Sequence, residues 1–196
     1  MGRTRLEAFS DAVIAIIITI MVLDLRPPST PTLGALLPVL PVFVSYILSF
    51  VYIGIYWNNH HHLLHLCPKV NGRILWANLH LLFWLSLFPF MTAWLGENHF
   101  AALPALLYGI VLLAAALAYW LLQRQIIAFQ GAQSQLRAVL GRDWKGNASP
   151  VFYTLGIGAA ALGHPWPALA MYVLVAFLWL VPDRRIERAL QENASE

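Results

Sequence analysis

Two aspartates and a knot of histidines are the groups in this sequence most able to do chemistry, because nearly everything around them is apolar. Asp11 and Asp24 bracket the uncharged stretch from Ala12 to Leu23, which spans about 18 Å as a helix at 1.5 Å per residue. That is less than the roughly 30 Å of hydrocarbon in a bilayer. If this helix crosses a membrane, at least one carboxylate sits at or below headgroup level, where it needs a partner or water; intramembrane acids are functional candidates for that reason. Asp24 stands beside Arg26 and also reads as a simple marker of the membrane interface, whereas Asp11 follows Arg5, Glu7 and Ser10. His60, His61, His62 and His65 contain pairs at i, i+3 and i, i+4, and imidazoles are good zinc ligands. No carboxylate or thiol motif completes a ligand set, and Cys67 lies beyond the helical register. Two readings of the cluster stay open: the metal site of a membrane-embedded transporter or metal-regulated protein, or a structural feature. No metal, cofactor or catalytic constellation is assigned, and an enzyme is not expected.

The elements that must hold these groups belong to a membrane. Of 196 residues, 60% are hydrophobic and 11% charged, against roughly half and a quarter in soluble domains. The net charge of +3 comes with no dense Lys/Arg run or aromatic RNA motif, so nucleic acid is excluded as a partner. The single cysteine cannot form an intrachain disulfide. The first apolar segment follows Arg3, Arg5 and Glu7 and ends at Asp24-Leu25-Arg26-Pro27-Pro28 without a small-residue cleavage pattern, so it is expected to remain as a helix.

Six spans are predicted, over about 6–25, 33–57, 73–93, 100–122, 150–162 and 167–181, the last two short and joined through Gly163-His164-Pro165-Trp166-Pro167. Cytoplasmic loops carry the excess of Lys and Arg. With the N-terminus inside, the cytoplasmic side receives every one of the 12 basic residues except Arg26. Both termini are therefore expected in the cytoplasm, with residues 1–196 forming one transmembrane domain. The connection from Gln123 to Ser149 mixes Ile126, Ile127, Phe129, Leu136, Val139 and Leu140 with polar residues, which suggests an amphipathic helix on the inner surface.

Helix one also carries a stripe. Ile16, Thr19, Ile20 and Leu23 share one face at i, i+3, i+4, i+7, and Asp11 lies roughly 120° from its centre at 3.6 residues per turn. The same stripe serves equally for packing in an ordinary bundle.

The order Arg5-Leu6-Glu7-Ala8-Phe9-Ser10-Asp11, followed by Ala12-Val13-Ile14-Ala15-Ile16-Ile17-Ile18-Thr19, resembles the Arg-x-x-x-Phe-Ser-Asp signature that opens the transmembrane protein 175 family of lysosomal potassium channels and their smaller bacterial relatives. Tyr56-Trp57-Asn58-Asn59-His60-His61, Trp76-Ala77-Asn78 and Pro89-Phe90 match further recurring features of that family, and the second half of the chain matches by helix count alone. The resemblance implies a channel without the Thr-Val-Gly-Tyr-Gly carbonyl filter, which this sequence lacks. It implies an all-α, six-helix subunit in a homotetramer in the bacterial inner membrane, conducting potassium and other monovalent cations passively, with a weak preference over sodium. Helix one would line the pore, with Ile16, Ile20 and Leu23 as hydrophobic gate rings and Thr19 as the one side-chain oxygen. Arg5, Phe9, Ser10 and Asp11 with Trp57, His60 and Asn78 would form an inner-end structural network, and Asp24 would mark the outer mouth.

Overall fold

The computed structural model describes residues 2–131, 134, 136, 137 and 144–180, and these contain helices and turns but no strand. Helix α1 runs Arg3–Met21, tightens into a 3₁₀ turn at Val22–Asp24 and stops. Pro27 and Pro28 explain the stop: proline has no N–H and disfavours helical geometry in the residue before it. A 3₁₀ segment, Leu33–Val39, leads into α2, Leu40–His65, whose first turn holds Pro41 where its missing N–H costs nothing. The helix continues eight residues past Trp57, so the histidines are part of it rather than of a loop.

The third predicted span is interrupted. Helix α3, Gly72–Ser86, begins at Asn71, whose side chain caps the Ile74 amide at 2.9 Å. It breaks at Leu87, and α4 runs Phe88–Glu97. Pro89 imposes the break, since its ring clashes with the carbonyl four residues back. Helix α5 covers Ala102–Gln130, beyond the sequence limit of Leu122. The buried positions Ala115, Ala118, Leu122 and Ile126 keep helical spacing through Gln123-Arg124-Gln125, so the apolar face does not end where the polar residues begin. Ile126, Ile127 and Phe129 thus belong to α5 rather than to a surface helix; Val139 and Leu140, and the tail from 181 on, lie outside the described residues. Helices α6, Trp144–Ala161, and α7, Pro165–Leu180, form a hairpin.

Two junctions share one hydrogen-bond pattern. At the end of α6, His164 N donates to the Ala159 carbonyl at 2.9 Å and Gly163 N to Ala160 at 3.0 Å, with Gly163 at φ +83°; this is a Schellman closure, which needs a left-handed residue. At the end of α4, Phe100 N reaches the Leu95 carbonyl at 3.0 Å and His99 N reaches Gly96 at 3.1 Å, but here His99 and Phe100 carry φ of 50° and 61°.

Four segments, Arg3–Asp24, Leu33–His65, Gly72–Glu97 and Ala102–Gln130, are long and apolar enough to cross a membrane, and Pro165–Leu180 is a shorter apolar helix. Their packing centres on buried tyrosines. Tyr52 Oη donates to the Tyr172 carbonyl at 2.5 Å, Tyr172 Oη to the Ala105 carbonyl at 3.2 Å, and Tyr108 Oη meets Ser49 Oγ at 2.9 Å. Gly109 of α5 and Gly156 of α6 form the seat of the Tyr172 ring, which a methyl group at either position would strike. Near the Asp24 end, Thr92 Oγ1 lies 2.6 Å from both Ser49 Oγ and the Phe88 carbonyl, and Ser45 Oγ donates to the Thr92 carbonyl at 3.0 Å. Buried hydroxyls thus tie α2, α4 and α5 without leaving polar groups unsatisfied in an apolar interior.

Candidate functional site

Helix α1 has two apolar faces and only one is covered. Leu6, Ser10, Ile14, Ile17 and Met21 are buried against the subunit. On the other side Ile16, Ile20 and Leu23 are 56%, 45% and 76% exposed, and Thr19 stands exposed among them. A helix embedded on one side in protein and apolar on the other needs either lipid or another protein surface there. Thr19 Oγ1 donates its hydrogen to the Ile16 carbonyl at 2.9 Å. Its oxygen is therefore left to act as an acceptor on that face. Ile18, on the far side of the predicted stripe, is half-buried and packs on the core, while Ile14 and Ile17 are the fully covered isoleucines.

The Arg3 end of α1 is fastened to α2 by a ladder of three rungs. Arg3 Nη1 donates to the His65 carbonyl at 3.1 Å, Glu7 Oε1 lies 3.0 Å from His61 Nδ1, and Trp57 Nε1 donates to Asp11 Oδ1 at 3.1 Å. Each rung moves four residues up α1 and four down α2, one helical turn on each of two antiparallel helices. The Glu7–His61 rung has its histidine about half exposed, so it contributes less than about 1 kcal/mol.

Behind the ladder lies a buried chain of hydrogen bonds across three helices. Asn78 of α3 donates through Nδ2 to Ser10 Oγ at 2.9 Å, and Ser10 Oγ donates to the Leu6 carbonyl at 2.9 Å. Asn78 Oδ1 meets His60 Nε2 at 2.7 Å. An amide oxygen only accepts, so this bond assigns the imidazole hydrogen to Nε2. His60 Nδ1 is buried with no hydrogen-bond partner.

The sequence-predicted residues divide accordingly. Ser10, Asp11, Trp57, His60 and Asn78 come together. Arg5 and Phe9 do not: both are exposed, and successive steps of three or four residues along α1 place them on the line of Ala12, Ile16, Thr19 and Leu23. The arginine that reaches α2 is Arg3, and Glu7 and His61 supply a contact that sequence reading passed over. Its trace was the matching four-residue spacing of Arg3-Glu7-Asp11 and Trp57-His61-His65. Asp24, at the opposite end, is half-buried with Arg26 and Glu97 within electrostatic reach.

The histidines diverge instead of converging. His60 turns inward to Asn78 and His61 to Glu7, and among the described residues no three His, Cys, Asp or Glu side chains are placed to hold a metal. Cys67 is buried, its thiol donating to the Lys69 carbonyl at 3.2 Å within the turn between α2 and α3.

Several known proteins are similar to this chain. The family described as endosomal/lysosomal potassium channel TMEM175 matches residues 5–89, the stretch carrying the Glu7–His61 and Asp11–Trp57 rungs and the buried chain. A protein named potassium channel from a Chryseobacterium species is 53% identical over 98% of this chain and 100% of its own length. Another so named, from Streptomyces collinus, is 31% identical over 89% of this chain and 90% of its own. A crystal structure described as a lysosomal potassium-selective channel TMEM175 homolog from Chamaesiphon minutus superimposes with a TM-score of 0.78, covering 91% of this chain and 96% of that one at 24% identity, which shows a shared fold.

Proposed function

This chain belongs to the TMEM175 family, and from that premise we propose that it is a passive channel for potassium and other monovalent cations, with the uncovered face of α1 as its pore wall. The observation that carries the pore assignment is the exposure of Ile16, Thr19, Ile20 and Leu23 on one face of α1, the helix whose opposite face is buried in the subunit; exposed apolar side chains also occur on the other helices, where lipid can cover them. One such face is a wall and not a conduit. Closed cyclic symmetry brings identical walls together around an axis, and a homotetramer with four α1 helices at its centre satisfies the face without lipid.

In that assembly Ile16, Ile20 and Leu23 repeat as three apolar rings along about 10 Å of axis. A narrow apolar section excludes water and opposes ion entry even without full steric contact. Thr19 supplies the acceptor oxygens between the rings, in place of a carbonyl filter. The ladder and the Ser10–Asn78–His60 chain fix the Arg3 end of α1, so their part is positional and not ion coordination. We read α1, α2, α3 with α4, α5, α6 and α7 as six spans in a bacterial inner membrane, both termini cytoplasmic; α6 and α7, at 18 and 16 residues, extend about 27 and 24 Å. Among the described residues no metal ligands converge to support the metal-transport reading.

Reconstitution into liposomes with flux measured under separate potassium, sodium and zinc gradients tests this function. Potassium flux is expected, with Ile20→Ala or Leu23→Ala raising the basal rate and weakening discrimination among cations. Zinc flux without potassium flux would overturn the proposal.

A further inference from the structure

A slot lies inside each subunit, away from the uncovered face of α1, among α2, α5, α6 and α7. Its walls are the rings of Tyr52, Tyr56, Tyr119, Trp120, Tyr153 and Trp179. The lining runs from Tyr52 to Asn59 on α2, from Ala116 to Gln123 on α5 and from Gly146 to Tyr153 on α6. Each covers seven helical steps, so the slot is about 10 Å deep along the helices. The space free of protein atoms is about 540 Å³ with its open mouth. Walls made of six aromatic rings suit a flat aromatic guest.

Gln123 presents a side-chain amide to the slot. Gln123 is 7% exposed, lines the slot and makes no side-chain hydrogen bond among the described residues. Its amide therefore faces open space in the slot, where a guest can meet it. Its neighbours are already committed: Asn59 Nδ2 donates to the Ile55 carbonyl at 2.8 Å, and Ser149 Oγ donates to the Lys145 carbonyl at 2.8 Å while accepting from Trp179 Nε1 at 2.8 Å. Gln123 is thus a donor and acceptor waiting at the polar end of an aromatic cleft. An aromatic guest gains from edge and offset contacts with such walls beyond its area burial, which an aliphatic guest of equal size does not.

We propose that this slot is a binding site for small, neutral, flat aromatic molecules bearing one hydroxyl or N–H group, with the ring between the tyrosines and tryptophans and the polar group on the Gln123 amide. The site is off the conduction path. A guest seated against Tyr56 and Asn59 braces α2 directly beside Trp57 and His60, the residues that hold the Arg3 end of α1.

Titration of the purified protein in detergent with 4-bromophenol at pH 7, followed by quenching of tryptophan fluorescence, tests the site, because Trp120 and Trp179 line it. Saturable quenching is expected. It should disappear in Ala116→Phe, which fills the slot, and weaken about 3- to 10-fold in affinity in Gln123→Leu, which removes one hydrogen bond. Phenol should displace the probe at lower concentration than cyclohexanol. Quenching that stays linear in the probe would overturn the site, as would saturable quenching that survives Ala116→Phe or an affinity untouched by Gln123→Leu. Equal displacement by cyclohexanol would overturn the aromatic assignment. Should Ala116→Phe not fold, Gln123→Leu decides alone.

Discussion

Replacing Asn78 by leucine tests whether the buried chain, and not general packing, holds the Arg3 end of α1. Asn78 is fully buried and bonds His60 Nε2 at 2.7 Å and Ser10 Oγ at 2.9 Å. Leucine keeps the volume and removes both bonds. Ser10 still has the Leu6 carbonyl for its proton, so its loss is one accepted hydrogen bond, about 1 kcal/mol. His60 fares worse: Nδ1 already lacks a partner, and the substitution strands the Nε2 hydrogen as well, at about 1–3 kcal/mol. The total, about 2–4 kcal/mol, corresponds to a roughly 30- to 700-fold loss in the folding equilibrium. His60→Phe alone strands Asn78 Oδ1. The double variant removes both partners, so it should cost about 1–2 kcal/mol less than the sum of the singles. Reversible unfolding of wild type, both singles and the double in mixed micelles measures the cycle. Additivity within about 0.5 kcal/mol would show that the two side chains do not act as a pair and would refute the reasoning.

Gly109→Ala should cost at least about 1–3 kcal/mol, because the new methyl meets the Tyr172 hydroxyl and the Ile157 side chain; a lower midpoint of thermal unfolding, with Gly158→Ala as the unobstructed control, checks it. His99→Gly relieves a left-handed position at φ 50° and should stabilise by about 0.5–1 kcal/mol, read as a raised melting midpoint. Reporter fusions at the C-terminus should report cytoplasm and one at Glu97 the outside; an outside report at the C-terminus would defeat the six-span topology.

Much of this arrangement was legible in the residues, and the parts that were not have identifiable causes. Block hydrophobicity marks the spans, and Pro89 marks the break between α3 and α4 once proline is weighed against continuous hydropathy. The end of α5 was misplaced because polar residues at Gln123-Arg124-Gln125 resemble a boundary, although the buried spacing runs through to Ile126. The face of α1 carrying Ile16, Thr19, Ile20 and Leu23 follows from helical period alone. Which arginine reaches α2 does not: Arg3 and Arg5 are two residues apart and face different ways, and only the register of α1 against α2 selects Arg3. The same register creates the Glu7–His61 rung, which no single helix displays. The slot around Gln123 gathers residues from four helices, so no single helix displays it.

The most direct test of the pore assignment is cysteine accessibility along α1 in reconstituted channels, against a background in which Cys67 is buried and its thiol is pushed above its ordinary range by that burial. Thr19→Cys places a thiol on the uncovered face and Ile17→Cys places one on the face packed into the subunit. A charged, water-soluble methanethiosulfonate applied during potassium conduction should block Thr19→Cys and leave Ile17→Cys and the parent channel conducting. Block of Ile17→Cys with Thr19→Cys unaffected would place the conduction path elsewhere and contradict the account.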